Sequence, residues 1–152
     1  MGSYSRQLLK AKKTMENKFE KTIWTQVDFP QMGWHDCSIY AIQLADTVDL
    51  DIDYILKWVI EEESKSYNFW VAPVTLRFSD ARNLRINIDL EFVNGLEIVK
   101  IEQKILNHTV YEYLIETQVG TIELIASGFI QSCRKPPILK SQQCLSEEER
   151  GG

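Results

Sequence analysis

The chain has 152 residues, of which 44% are hydrophobic and 26% are charged, and its formal net charge is −5. This length and composition are typical of one globular domain with a substantial core. The acidic balance argues against nucleic acid as the main ligand, because phosphates would be repelled. The apolar runs are too short to cross a bilayer, and three cysteines without paired spacing predict reduced thiols in the cytoplasm.

The first 21 residues differ in charge from the rest of the chain. Six basic and two acidic residues give them a net charge of +4, whereas 11 basic and 20 acidic residues give the remainder a net charge of −9. Apolar residues recur along this segment near helical spacing: Tyr4, Leu8, Ala11, Met15 and Phe19. Residues 1–21 are therefore predicted as a basic N-terminal extension, either helical or disordered.

Short runs of alternating apolar and polar residues predict strands throughout residues 22–137. Turn signals separate them, including Asn94-Gly95, which is typical of a hairpin. Pro73 interrupts one run and predicts a bulge or an edge position. The predicted strands cover residues 22–29, 34–45, 48–61, 67–78, 84–92, 109–117 and 121–130, and residues 96–106 fit either a strand or a helix.

These strands predict one β-rich domain over residues 22–137. Its fold class is mainly β, with α+β as the alternative, built as an antiparallel sandwich or partly closed barrel of seven or eight strands and at most one or two helices. Residues 138–152 are polar and follow Pro136-Pro137, so they are expected to form a mobile polar tail.

The chain is organised around residues 48–61. Six apolar residues lie two apart there: Leu50, Ile52, Tyr54, Leu56, Trp58 and Ile60. This pattern predicts a strand with one apolar face, although Ile55 and Val59 interrupt the polar side. A helix behind an aspartate cap is the competing interpretation. The strand is favoured because β-branched and aromatic residues are abundant.

The aspartates of this stretch form the first candidate site. Asp49, Asp51 and Asp53 imitate the start of a calcium-binding EF-hand loop, but Tyr54 stands where the loop needs glycine and Ile60 where it needs glutamate. Alternate carboxylates on a strand are also about 7 Å apart, too far for one ion to hold all three. We therefore predict no metal site. The aspartates form either a solvated face or a docking face for a basic partner, together with Glu61, Glu62 and Glu63.

The neighbouring pair His35 and Asp36 is the second candidate, as a polar site. Metal-dependent phosphohydrolases of the HD type use such a pair, but they need further histidine and aspartate ligands, and the only other histidine is His108. The alternative is structural, with Asp36 capping a turn and His35 bonded to a sheet edge. Cys37 is a poor partner for His35 as a nucleophile, because their side chains would lie on opposite faces of a strand.

Aromatic side chains are abundant enough to line a ligand cavity, although a core is the favoured interpretation. They are Trp24, Trp34, Tyr40, Tyr54, Trp58, Phe69, Trp70, Phe78 and Phe92. We find no glycine-rich phosphate loop, nucleophile elbow or Walker lysine, so no cofactor is predicted.

Four segments carry a family resemblance: WHDCSI from Trp34, LDIDYILKW from Leu50, FWVAPVTLRF from Phe69 and GFIQSCRKPP from Gly128. Over about residues 22–137 the chain resembles a family of small, uncharacterised bacterial β-rich proteins with an N-terminal His-Asp motif. It is similar in this to predicted immunity proteins of polymorphic-toxin systems. The resemblance implies a cytosolic protein that works by binding, with toxin neutralisation as one role.

The leading hypothesis is a non-enzymatic cytosolic protein that docks a basic protein partner, such as a toxin domain, through its acidic face. It needs no cofactor, nucleic acid or membrane, and a homo-oligomer is left open. The alternative is a small-ligand-binding β-barrel, or a hydrolase that uses His35 and Asp36.

Overall fold

The computed structural model describes residues 21–151, so the predicted basic extension lies outside the described residues except for Lys21. The described chain is mainly β, with ten strands in two antiparallel sheets and two short helical segments. The strands are β1 (Ile23–Thr25), β2 (Ser38–Leu44), β3 (Val48–Glu61), β4 (Ser66–Ser79), β5 (Arg82–Ile88), β6 (Ile98–Asn107), β7 (Val110–Thr117), β8 (Gly120–Ala126), β9 (Gly128–Cys133) and β10 (Ile138–Lys140). A 3-10 helix spans Gln26–Gln31, and α1 spans Glu147–Arg150.

The two sheets pack around one apolar core. The larger sheet has the order β1-β9-β4-β3-β2, with β10 also paired to β4, and the smaller sheet has the order β5-β8-β7-β6. Rings from both sheets meet between them: Tyr113 of β7 lies 4.9 Å from Phe78 of β4 and 5.9 Å from Phe129 of β9, between ring centroids. The mainly β, antiparallel prediction is confirmed, with ten strands instead of seven or eight.

The hairpin of β3 and β4 is the centre of the larger sheet. β3 covers the stretch for which the sequence left strand and helix open, and it is a strand. Leu50 and Ile52 are fully buried opposite Leu76 and Val74 of β4. Burying side chains of this size stabilises the fold by about 1.5–3 kcal/mol each.

Pro73 coincides with a break in the strand next to β4. β9 pairs with β4 from Val74 onward, and β10 pairs with Phe69–Val71 along the same edge. Between them, the N–H of Arg134 donates to the carbonyl of Pro73 at 2.8 Å. A proline cannot donate to a ladder, so the neighbouring strand is interrupted where the donor is missing.

The chain passes from the smaller to the larger sheet between β8 and β9, within a run that the sequence predicts as one strand. Gly128 begins β9 with φ of 141°, a conformation that side chains rarely adopt. A Cβ at this position would lie 2.6 Å from Oε1 of Gln26. This glycine therefore permits both the change of sheet and the close approach of the 3-10 helix.

Several local predictions differ from the structure. Residues 22–29 form a three-residue strand followed by the 3-10 helix that contains Pro30. Asn94-Gly95 does not close a hairpin, because β5 pairs with β8 and β6 pairs with β7. Phe92, predicted on an apolar strand face, is exposed beyond the end of β5.

The segment expected to be a mobile polar tail has a defined structure through Gly151. It forms β10 and α1, and Leu145 between them is 5% exposed. Ser146 caps the helix, accepting a hydrogen bond from the N–H of Glu149 at 3.1 Å. Sequence polarity alone misses this packing, because one leucine and one arginine attach the whole segment to the larger sheet.

Candidate functional site

A bulge divides the β3–β4 hairpin into two parts with opposite character. The register between the strands shifts between Ile55 and Lys57, which leaves Leu56 without a partner. Beyond this bulge, Trp58 lies opposite Phe69, which by alternation shares the face of Val71 and turns away from the core. We call residues 48–55 of β3 the base and residues 57–69, including the turn, the arm.

The shift brings large apolar side chains to the surface of the arm. Trp58 is 42%, Ile60 is 61% and Tyr67 is 48% exposed. The Trp58 ring packs edge-on against Tyr67 at 5.7 Å and against Phe69 at 5.0 Å, both at 80°. The expectation that all six apolar residues of the stretch face inward is therefore wrong for Trp58 and Ile60, because the bulge changes their face.

The turn at the end of the arm carries the exposed carboxylates of Glu61, Glu62 and Glu63. Glu61 accepts a hydrogen bond from the hydroxyl of Ser64 at 3.2 Å, and Lys65 adopts φ of 54° where the chain reverses. These three glutamates are the part of the predicted acidic site that the structure places in solvent. They adjoin the exposed apolar cluster of the arm.

Asp49 and Asp51 on the base are both engaged by neighbouring strands. Asp49 forms a two-point ion pair with Arg77, with N···O distances of 2.9 and 3.0 Å. This guanidinium holds the pKa of Asp49 below its usual value. Asp51 is 7% exposed and accepts hydrogen bonds from Thr75 at 2.8 Å and Gln43 at 3.1 Å. Neither carboxylate is an open charge toward water.

Asp53 is fully buried. Arg150 of α1 forms a two-point ion pair with it, with Nε–Oδ1 and Nη2–Oδ2 distances of 3.0 and 2.5 Å, and the N–H of Leu145 donates to it at 3.1 Å. The prediction of a solvent-facing row of aspartates is corrected by this contact. The carboxylates do lie on the outer face of the sheet, but the C-terminal segment covers the last of them.

The His35-Asp36 pair lies in the turn before β2. His35 is exposed, and its Nδ1 lies 3.2 Å from the Val99 carbonyl oxygen. Asp36 has φ of 66°, and its carboxylate accepts a hydrogen bond from Gln143 at 3.1 Å. Each side chain thus contacts a segment distant in sequence. A polar site at these two residues stays a prediction.

The cysteines lie in three different environments. Cys37 is buried and accepts a hydrogen bond from the N–H of Ile55 at 3.5 Å. Burial raises the pKa of Cys37 to about 12 and that of Cys133 to about 11, so both thiols resist ionisation at neutral pH. Cys144 is exposed. Within residues 21–151, no three His, Cys, Asp or Glu side chains come close enough to hold a metal ion.

A polar pocket of about 530 Å³ adjoins the C-terminal helix. Tyr40 is its central side chain: the Arg150 guanidinium lies 4.0 Å and that of Arg134 lies 5.5 Å from its ring centroid. Burial and the nearby Arg150 charge lower the pKa of Arg134. Asp51 and Glu147 also line the pocket, so it combines both signs of charge and does not select one kind of ion.

A second pocket, of about 330 Å³, lies where β1 and the 3-10 helix cover the larger sheet. Trp24 and Tyr54 form its aromatic wall, with ring centroids 5.4 Å apart. An ion pair between Lys21 and Asp28 lies at its rim. Burial raises the pKa of Tyr54, so its hydroxyl stays protonated.

Sequence reasoning missed the exposed aromatic cluster of the arm. The available signal was the pair Ile55 and Val59, which interrupts the polar side of the predicted strand. Two apolar residues out of phase indicate that the alternation changes frame between them, as it does at Leu56. The covering of Asp53 has no comparable signal, because Arg150 lies 97 residues away in the chain.

The chain matches no family model, and neither the curated proteins nor the solved structures contain a match. No helix between residues 21 and 151 is both long enough and apolar enough to span a membrane.

Proposed function

We propose that this protein is a non-enzymatic cytoplasmic binding protein that recognises a protein partner through the outer face of the arm. The observation that carries this proposal is the contiguous exposure of Trp58, Ile60 and Tyr67. Large aromatic side chains exposed together are costly to leave in water and are enriched among residues that dominate binding energy. Their packing against one another holds the rings in a defined geometry before a partner arrives.

The partner that fits this face is a basic protein surface with an apolar side chain at its centre. Glu61, Glu62 and Glu63 surround the end of the aromatic cluster, and Lys57 and Lys65 offset only part of their charge. Exposed carboxylates accelerate encounter with a basic surface, while the desolvated aromatic contact supplies most of the affinity. An immunity-type inhibitor of a basic toxin domain would work in this way.

A phage-displayed peptide library, selected on the purified protein, tests this proposal without a known partner. We expect selected peptides to combine lysine or arginine with a large apolar residue. Their binding should weaken at least ~30-fold in Trp58→Ser, an ordinary loss of about 2 kcal/mol for an aromatic anchor. The charge reversal of Glu61, Glu62 and Glu63 to lysine should reduce mainly the association rate.

Ile86→Ser is the matched control, because Ile86 is a similarly exposed apolar residue, 45% exposed, on the smaller sheet. It should leave peptide binding unchanged. Peptides that bind the Trp58→Ser protein as tightly as the parent would overturn the assignment of the arm.

A small-ligand binder is the second candidate, and the pocket beside Trp24 and Tyr54 favours it. Its aromatic wall and charged rim suit a compact ligand with one apolar side. A thermal-shift screen with metabolites and metals would support this role if a saturable shift disappeared in Trp24→Ala. A shift lost instead in His35→Ala would favour the predicted polar site and a hydrolase.

A further inference from the structure

The outer edge of the arm, as distinct from its aromatic face, is an unpaired strand edge in the described part of the chain. β2 pairs with β3 from Val48 to Asp53 only. Within residues 21–151, no strand lies beside residues 57–61 on the side opposite β4. Unpaired main-chain groups on such an edge are a template for another strand.

Hydrogen bonds along β4 establish which main-chain groups point to this edge. The carbonyls of Pro73 and Ser79 accept from the N–H groups of Arg134 and Ser127, at 2.8 and 2.9 Å. Both donors lie on the side of β4 away from β3. Main-chain groups alternate in direction along a strand, so odd-numbered residues of β4 direct their N–H and C=O groups away from β3.

Phe69 and Tyr67 follow the same rule, so each forms a pair with β3 that is not hydrogen-bonded. Their partners are Trp58 and Ile60. The N–H and C=O groups of Trp58 and Ile60 therefore point to the free edge, while those of Val59 between them point to β4. The edge offers two donors and two acceptors in a regular spacing.

The side chains of this edge are complementary to themselves when the strand is reversed. Residues 57–61 read Lys, Trp, Val, Ile, Glu. An antiparallel copy centred on Val59 places Lys57 opposite Glu61, Trp58 opposite Ile60 and Val59 opposite its own equivalent. Each ion pair and each apolar pair occurs twice because of the two-fold symmetry. The hydrogen-bonding groups of Trp58 also meet those of Ile60 in this register.

We propose that two copies of this chain associate through the edges of β3, in the antiparallel register centred on Val59. The larger sheets of both copies then continue into one another. Opposite charges at Lys57 and Glu61 favour this register, because cross-strand partners lie about 4.5–5.5 Å apart. The aromatic faces of both arms remain on one side of the joined sheet, open to another partner.

Charge exchange between the two ends of the edge tests the register. Sedimentation over a range of protein concentrations should show a dimer for the parent. Lys57→Glu and Glu61→Lys should each weaken it at least ~10-fold, because each reversal creates two repulsive pairs. The double variant restores both attractions and should return within about threefold of the parent. A double variant that dissociates as readily as the single ones would overturn the register.

A cysteine at the two-fold axis gives an independent readout. In a Cys144→Ser background, which removes the exposed thiol, Val59→Cys places two thiols in a pair that is not hydrogen-bonded. Cα atoms in such a pair are about 4.5 Å apart, within the range for a disulfide. We expect mild oxidation to link most chains, as judged by non-reducing electrophoresis.

Leu44→Cys in the same background is the matched control, because Leu44 is 62% exposed on the edge strand β2. It should cross-link much less. A parent that stays monomeric up to about 1 mM, with equal cross-linking at both positions, would overturn the proposal and leave the edge to residues 1–20 or to a foreign strand.

Discussion

The base and the arm of the same hairpin invert the usual distribution of side chains in opposite ways. The base encloses two carboxylates, Asp51 and Asp53, whereas the arm exposes Trp58, Ile60 and Tyr67. Every buried carboxylate has partners within the fold, and the exposed aromatic residues have room for partners outside it. Polar residues under cover indicate structure, and apolar residues in solvent indicate recognition.

The largest effect is expected at the covered end, in Arg150→Ala. This change leaves the Asp53 carboxylate buried without a counter-ion, which costs about 3–5 kcal/mol of the free energy of unfolding. Asp53→Ala should cost less, because Arg150 is partly exposed and can turn to water. Urea denaturation of both variants measures the difference. The opposite order would show that the charge on Asp53 does not depend on the C-terminal segment.

Leu145→Ala should have the next largest effect. Its side chain is 5% exposed and helps to close the segment over the base, so its truncation should lower the free energy of unfolding by about 2–3 kcal/mol. Urea denaturation with an unchanged m-value checks this. Ser141→Ala, a change at an exposed position of the same segment, is the control. A loss in Leu145→Ala no greater than in this control would mean that the segment is only loosely attached.

The arm should behave differently. Trp58→Ser is expected to change the free energy of unfolding by about 1 kcal/mol or less, because much of the ring is already in water and only cross-strand contacts are lost. The same variant should show the largest loss of peptide binding. If Trp58→Ser unfolded the protein as readily as Leu145→Ala, the arm would be a structural element and the contrast would disappear.

The smallest effect should come from Asp49→Asn, whose partner Arg77 is exposed. Tm at pH 7 should fall by about 2 °C. The pKa of Asp49 is lowered in the folded state, so its contribution is present above its unfolded value of 3.8 and is lost as pH falls through the folded pKa. The difference in Tm between parent and Asn variant should therefore shrink below pH 3.8. A difference that grew on acidification would contradict the ion pair.

Much of the fold follows from local patterns in the sequence. Alternation predicts β3 from Val48 to Glu61, and Pro73 correctly marks an interruption in the ladder. Asn94-Gly95 misleads because turn chemistry fixes a reversal but not the strand that pairs next. The sequence resolves neither the face of Trp58 nor the cover over Asp53. The first depends on one unpaired residue, and the second on a contact between distant segments.

The acidic site shows the same limit. Glu61, Glu62 and Glu63 are exposed because a tight turn leaves them no neighbours, which composition predicts well. Asp49, Asp51 and Asp53 alternate as regularly as any solvated face, and only their partners on other strands and on α1 distinguish them. Alternation assigns side chains to a face, whereas burial depends on what else packs there.

Two-dimensional ¹H–¹⁵N spectra of the indole N–H groups provide the most direct test of the central claim. Trp24, Trp34, Trp58 and Trp70 each contribute one signal, and the indole of Trp34 is bonded to Gln131 at 2.8 Å inside the core. On titration with a library-selected peptide, the account predicts that the Trp58 signal shifts while that of Trp34 stays in place. A shift confined to Trp24, with Trp58 unmoved, would contradict recognition by the arm and move the binding site to the aromatic pocket.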